Sequence, residues 1–405
     1  MGFPNTSHED WRFTNVAPIS KMPFSPAPRL SPAELEQIPL DILPFCGMPV
    51  HRLVFVDGHF AKSLSRIDAL PPGVVVTSLA AGLTDPSLGL EGRLGKLVQG
   101  NENAFAALNS AYFTDGGVVI LPPGTALGGV VHLCFLTTSS QLGASTSVRN
   151  LIHVGPGSSA TVVESFSGVK PARTLTTCVS EVRLENDGYL EHIRFQDETL
   201  ESYHVGTSHY HLGTKSRCWA HSFSLGSRLF RANIQATLAG EGLECVLNGL
   251  YLTRAEQLAD HHMVVDHAKP HGASHEYFNG ILDDRSRGVF HGRILVRQDA
   301  QKTDAKQTNK NLLLSDDATV DTKPQLEIYA DDVKCTHGAT TGHMDLDAIF
   351  YLRSRGIGLE RARRMLMHAF AGEIIERVQS EPLRVVVDRI VRSRLEQNPH
   401  VQVEV

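Results

Sequence analysis

From about residue 113 to about residue 330 the sequence is a run of short apolar–polar alternations broken by turn residues, with almost no helical period. That texture constrains the fold more than any other feature. Gly116-Gly117 precedes Val118-Val119-Ile120-Leu121, and Pro122-Pro123-Gly124 closes the run. Val182 and Leu184 alternate with Glu181, Arg183 and Glu185. Asn186-Asp187-Gly188 then turns the chain, and Ile193 and Phe195 alternate with Arg194 and Gln196. Ile234, Ala236 and Leu238 repeat the pattern before Gly240-Glu241-Gly242. Successive side chains of a strand point to opposite faces, so these are strands with one face toward a core. A sandwich or barrel accommodates such a series, and so does a stacked solenoid. With a turn of roughly 20 residues, a solenoid over 113–335 has about ten turns. No strict repeat is visible in the letters, and both solutions stay open at this level.

The flanks read differently. His8-Glu9-Asp10-Trp11-Arg12-Phe13 opens a polar, aromatic-dotted segment, followed by prolines at 18, 23, 26, 28, 32, 39 and 44 that resist helix. Ser31-Pro32-Ala33-Glu34 predicts one short helix, with Ser31 as N-cap and Pro32 first inside. Leu94, Leu97, Phe105 and Leu108 recur at near-helical spacing and predict a helix over 92–112. Near 345 the helical period returns. Asp345 and Asp347 precede Ile349-Phe350-Tyr351-Leu352, Gly356 and Gly358 interrupt, and Leu359, Ala362, Leu366, Ala369, Phe370 and Ile374 share one face. Pro382 sets off a last helix carrying Val385, Val386, Ile390 and Leu395. The chain divides into a mixed head (1–112), a β body (113–343) and a helical tail (344–405).

Composition removes several function classes. The 405 residues carry 38 Lys+Arg against 44 Asp+Glu, a net charge of −6 without basic blocks, which disfavours nucleic-acid binding. No apolar run approaches the roughly 18 residues of a membrane span, and the start MGFPNTSHEDW lacks the n- and h-regions of a secretory signal. Met1-Gly2 only superficially matches a myristoylation start, because Ser7 comes one place late. The six cysteines (46, 134, 178, 218, 245 and 335) form no CxxC pair, which fits reduced thiols in a cytoplasmic protein.

Chemistry concentrates between 260 and 343. Histidines stand at 261, 262, 267, 271, 275, 291, 337 and 343. They are of a type that binds zinc or iron, but no HxxxH or HxH…E template fits, and hydrogen-bonding roles along a solenoid face explain any one of them better. His209-Tyr210-His211 places two rings on one side of a strand with the same ordinary reading. Cys335-Thr336-His337 puts a thiol and an imidazole on one strand face beside Asp331 and Asp332, an arrangement suited to thiolate activation or to a soft metal. GLEGRLGK at 89–96 imitates a phosphate-binding loop, but its first glycine is misplaced and Leu97 stands where Ser or Thr holds magnesium. Asp283-Asp284 could be the acid pair of a polysaccharide-cleaving β-helix; the adjoining Arg285 and Arg287 favour a turn with local ion pairs. GxSxG, HExxH and Rossmann fingerprints are absent.

NGILDDRSRGVFHGRILVRQDAQKTDAKQTNKNLLLS at 279–315 and DDVKCTHGATTG at 331–342 resemble the SufB/SufD family of iron–sulfur cluster assembly proteins. HEDWRFTNV, RLGKLV…NAFAALNSAYFTDGGVVILPPG and RNLIHVGPGSSATVVES are similar to it as well, so the resemblance spans about residues 7–378. HGATTG resembles the D type, since the B type carries Glu after that His. The B type also has a sulfur-acceptor Cys where Asn309 stands here. The resemblance implies a mainly β fold, a right-handed parallel β-helix (solenoid) core with N-terminal mixed/helical and C-terminal helical segments. It implies a subunit that is not an enzyme by itself, a heterodimer with SufB through the β-helix, and a SufC ATPase bound through residues 345–378. It leaves open a homodimer. It implies a transient iron–sulfur cluster or iron at the subunit interface, with His337 as ligand and Cys335 beside it. A reduced flavin is linked to such complexes, although no flavin motif occurs. Competing readings are a β-helix enzyme acting on polysaccharide and a mononuclear metalloenzyme built on several of the histidines.

Overall fold

The computed structural model describes residues 2–39, 44–100, 103–139 and 141–396. From residue 117 the chain shuttles between two sheets in strands of mostly ten residues. One sheet starts at Val75–Ser78 and Gly117–Leu121 and ends with Leu258–His267, Arg287–Val296 and Thr319–Ile328. The other starts at Val50–Val56 and Ala126–Thr137 and ends with Ala273–Leu282, Asp304–Leu313 and Lys334–His343. Beyond Gly117 each strand pairs in parallel with the next but one in sequence, which makes the body a solenoid of about eight turns. Residues 50–56 pair in parallel with Val130–Leu136, so the head supplies a strand to the stack.

The turns are longer than the 20 residues expected. Leu258 pairs with Arg287 and Arg287 with Thr319, offsets of 29 and 32 residues. Each turn holds two long strands and two corners, and the core between them is correspondingly wide. One corner repeats a conformation instead of a sequence. Gly124, Gly157, Asp187, Lys215, Gly242, His271 and Lys302 all have φ between 56° and 69°. The amide of each donates to a carbonyl of the next turn, as Asp187 N does to Thr214 O and His271 N to Gln301 O. Left-handed backbone costs a non-glycine residue of order 1 kcal/mol, and the stacked neighbours hold it in place.

In-register stacking fills the interior. Phe55, Phe135 and Phe166 are successive partners with ring centroids 5.0 and 4.8 Å apart and nearly parallel planes. One apolar cluster runs from Leu53 to Leu282 and Phe290 along the solenoid.

Among the described residues the head has four short α-helices, α1 (Ala17–Ser20), α2 (Pro32–Glu36), α3 (Leu79–Leu83) and α4 (Ala104–Tyr112). Ser31 is the expected N-cap of α2, and with Glu34 it closes a capping box. The helix expected over 92–112 is only its second half. Residues 90–92 make one 3-10 turn, Gly95 has φ +72°, and α4 starts after the N-cap Asn103. The amides of Gly95 and Leu97 donate to the Glu181 carboxylate at 2.8 and 2.9 Å, so they are withdrawn from any helix. The same bonds answer the phosphate-loop resemblance of this stretch: a side-chain carboxylate occupies its amides.

The tail contains α5 (Leu346–Ser354), α6 (Leu359–Ile375) and α7 (Glu381–Glu396). Asp345 caps α5 through the amides of Asp347 and Ala348. Met367, Ala371 and Ile374 of α6 and Leu383, Val387 and Val391 of α7 share an apolar cluster with Ile193, Phe223, Leu250 and Ile281 on the outer face of the second sheet. Glu191 of that sheet accepts from the amides of Gln379 and Ser380 at 2.6 and 3.0 Å, fixing the α6–α7 connection.

Candidate functional site at the open end of the solenoid

Thr319–Ile328 and Lys334–His343 end the two sheets, and among the described residues nothing stacks on them. Every residue of the final strand is exposed except half-buried Cys335. This end coil presents unpaired backbone groups and an incompletely covered core, two features that call for a partner surface.

The register shows which side chains continue the core. Cys335, His337, Ala339 and Thr341 pair with Ala305, Gln307, Asn309 and Asn311, whose side chains are buried in the interior. Cys335 and His337 therefore stand on the same, inward-facing side of the last turn. The thiol packs by Ile294, Val296, Ala300 and Ala305. Burial raises its pKa, and only a backbone hydrogen bond with Ala305 acts against that. This burial does not favour the thiolate in the isolated chain. Nearby Asp332 is engaged by Lys302.

Below His337 a polar column enters the interior. Gln307 pairs with Glu276, and its side-chain amide donates to that carboxyl. Gly292 of the opposite sheet makes room for Gln307, since a Cβ there would lie 2.1 Å from its nitrogen. Burial pushes the Glu276 carboxyl up to about 8, despite the Gln307 hydrogen bond. Strand parity in the sequence identified Cys335 and His337. Glu276 and Gln307 were not found, because projecting back from His337 requires the true turn length.

Asn309 is fully buried. Its amide donates to Phe278 O at 3.1 Å, and its oxygen accepts from Asn311 at 2.7 Å, while Tyr251 OH donates to Asn311. The position matched to a sulfur acceptor is thus an interlocked amide with no nucleophile. Cys178, Cys218 and Cys245 are buried in the interior and Cys134 is buried on the outer face with Val54, Val56 and Ala61, and burial raises the pKa of each.

The remaining histidines separate. His261 is buried among the rings of Phe230, Tyr251 and Phe278. His267 bonds Ser274 at 2.8 Å, His271 is a corner residue, and His275 lies 3.9 Å from Asp304. His209 donates to Leu97 O at 2.7 Å, a structural role. His262 and His291 are register partners with ring centroids 4.3 Å apart. The acid pair is a turn: Asp283 accepts from the Asp284 amide at 2.8 Å, and Asp284 accepts from the Ala255 amide at 2.7 Å. Both carboxylates fasten the backbone of a turn.

Residues 135–370 match the family model described as SUF system FeS cluster assembly, SufBD core domain, and residues 1–133 match the SufBD protein N-terminal region. The iron–sulfur cluster assembly protein SufD of Escherichia coli is 32% identical over 97% of this chain and 90% of its own. An iron–sulfur cluster assembly SufBD family protein of Synechocystis is 34% identical over 93% of this chain and 84% of its own. One from Mycobacterium tuberculosis is 28% identical over 80% of each. With both family models matched along a parallel β-solenoid, this chain belongs to the SufBD family of iron–sulfur cluster assembly proteins.

Proposed function

We propose that this chain is a non-catalytic subunit of a cytoplasmic SufB–SufC–SufD assembly scaffold, which joins SufB through the open end of its solenoid and presents His337, with Cys335 beside it, to iron or a nascent cluster as cargo. The observation that carries this reading is the uncovered final turn, whose core-facing positions bear an imidazole and a thiol. Both side chains suit iron, and neither is tied up in the described chain by a metal-excluding hydrogen-bond network. Asn309 cannot carry a persulfide, so the acceptor thiol belongs to the partner. A second β-helix docked on the final turn brings that thiol toward His337.

The tail supplies the ATPase site in this reading. α6 and α7 are committed to the solenoid, but α5 leaves Leu346, Phe350 and Tyr351 at 76, 74 and 55% exposure. Such a cluster on one short capped helix is an uncovered apolar patch. SufC bound there transmits its motion through α6 to the second sheet. Co-expression with SufB and SufC, followed by the mass of the purified complex, tests the assembly. A three-component complex is expected. A chain that sediments as a monomer at micromolar concentration in the presence of SufB contradicts it.

A further inference from the structure

The head crosses the outer face of the first sheet and borders a recess of about 420 Å³ lined by seven of the residues between Thr6 and Thr14, Asp10 among them, together with Asp260, His262, Val289, His291 and Lys323. Trp11 is buried against Phe105, with the Arg231 guanidinium 3.8 Å above its ring. Arg231 also donates to Asp10 O at 2.8 Å, and Thr14 donates to Asp260. These contacts hold the Asp10 side chain over the paired rings of His262 and His291.

One ligand atom from each of Asp10, His262 and His291 lies within 4.8 Å of the others. His262 Nε2 is 3.7 Å from Asp10 Oδ1. His291 is 9% exposed, and its Nε2 is buried without a hydrogen-bond partner. A buried ring nitrogen without a partner is costly unless something binds it. The basic groups near the two rings have carboxylates of their own: Arg231 pairs with Asp260, Lys323 with Glu9, and Arg293 with Glu327. Arg12, beside the Phe13 ring, is the remaining cation lining the recess. Asp10 is left facing the two imidazoles.

We infer that Asp10, His262 and His291 form a binding site for one divalent transition ion of the Zn²⁺ or Fe²⁺ class, separate from the cluster site at His337, which fastens the head to the solenoid. Two imidazoles and a carboxylate suit these ions. Bonds of about 2.1 Å place tetrahedral donors about 3.4 Å apart, so the site must contract by an ångström or so. Asp10, 65% exposed on its side chain, is free to make that movement.

The test uses full-length protein without a histidine tag, stripped with chelator and titrated with Co²⁺ by visible absorption and with Zn²⁺ by calorimetry. One ion per chain is expected, with a cobalt ligand-field band and a rise in Tm. Asp10→Asn should weaken binding at least tenfold, and His262→Gln should abolish the band. Absence of stoichiometric binding overturns the inference, as does equal binding by the Asp10→Asn and His262→Gln proteins. Asp10→Asn alters an exposed side chain, so its result does not depend on whether the histidine variant folds.

Discussion

Gln307 is the register partner of His337 one strand inward, on the same core-facing side of the solenoid. Its amide donates to Glu276, a carboxyl sealed in the interior. The exposed imidazole at the open end is therefore the outer end of a polar column that stops at Leu247, the partner of Glu276 on the next strand.

Glu276 gives the fold a pH dependence. Its pKa rises from an ordinary 4.5 to about 8 on folding. Its contribution is complete below 4.5, declines as pH rises between 4.5 and 8 because the folded chain holds a proton that the unfolded chain releases, and is gone above that window. Glu276→Gln stays neutral and keeps an acceptor for Gln307. Urea unfolding should find it more stable than the parent at pH 8.5 by about 2–4 kcal/mol, with little difference at pH 4.5. Equal differences at the two pH values contradict the buried-acid account.

The buried imidazoles act in the opposite direction. Burial lowers His132 and His261 to about 3 and His267 to about 4. Their contribution is present above the unfolded value near 6.5 and is lost as pH falls toward 3–4, when the unfolded chain binds protons that the folded one refuses. Stability should fall steeply below pH 6, and the slope reports the proton uptake. His261→Phe, in a pocket already lined by aromatic rings, should reduce that uptake by about one proton. An unchanged slope would falsify the assignment.

Glu181 anchors the loop before α4. It accepts from Arg149 at 2.7 Å, in a pair whose side chains are 3% and 0% exposed, and also from the amides of Gly95 and Leu97. Glu181→Gln leaves the buried guanidinium uncompensated and should cost about 3–5 kcal/mol in denaturant unfolding. Limited proteolysis should then cut first within 93–100. A variant with parental stability and no new cleavage site shows that the pair is dispensable.

The α5 patch separates docking from folding. Phe350→Ala with Tyr351→Ala changes exposed side chains, so Tm should move by less than about 1 kcal/mol equivalent. Co-purification with SufC should fall at least tenfold. Removing the whole tail is a poorer experiment, because it strips α6 and α7 from the second sheet and exposes Ile193, Phe223 and Leu250. Undiminished SufC binding by the double variant moves the ATPase site elsewhere.

Much of this architecture is legible in the chain where chemistry is local. Ser31 and Asp345 name their helix starts, and strand parity places Cys335 with His337. The turn length is hidden because its marker is a left-handed corner occupied by Asp187, Lys215, His271 and Lys302 as well as by glycine. A conformational repeat leaves no repeat in the letters. The helix expected over 92–112 fails for a distant reason: the Leu94 and Leu97 spacing is helical, but Glu181 captures the amides from another strand. The Gln307–Glu276 column and the Asp10–His262–His291 cluster likewise depend on register and on where the head lands, which no local pattern specifies.

The central claim is that His337 serves the cluster and not the interface. One side chain rarely dominates a large interface, so His337→Ala should leave the complex with SufB and SufC assembled. The decisive measurement is the visible iron–sulfur absorbance per mole of that purified complex, made in cells expressing all three subunits. The account predicts an intact complex whose absorbance falls at least severalfold, with Cys335→Ala less affected. A His337→Ala complex carrying the parental absorbance contradicts the ligand role and removes the site at the open end.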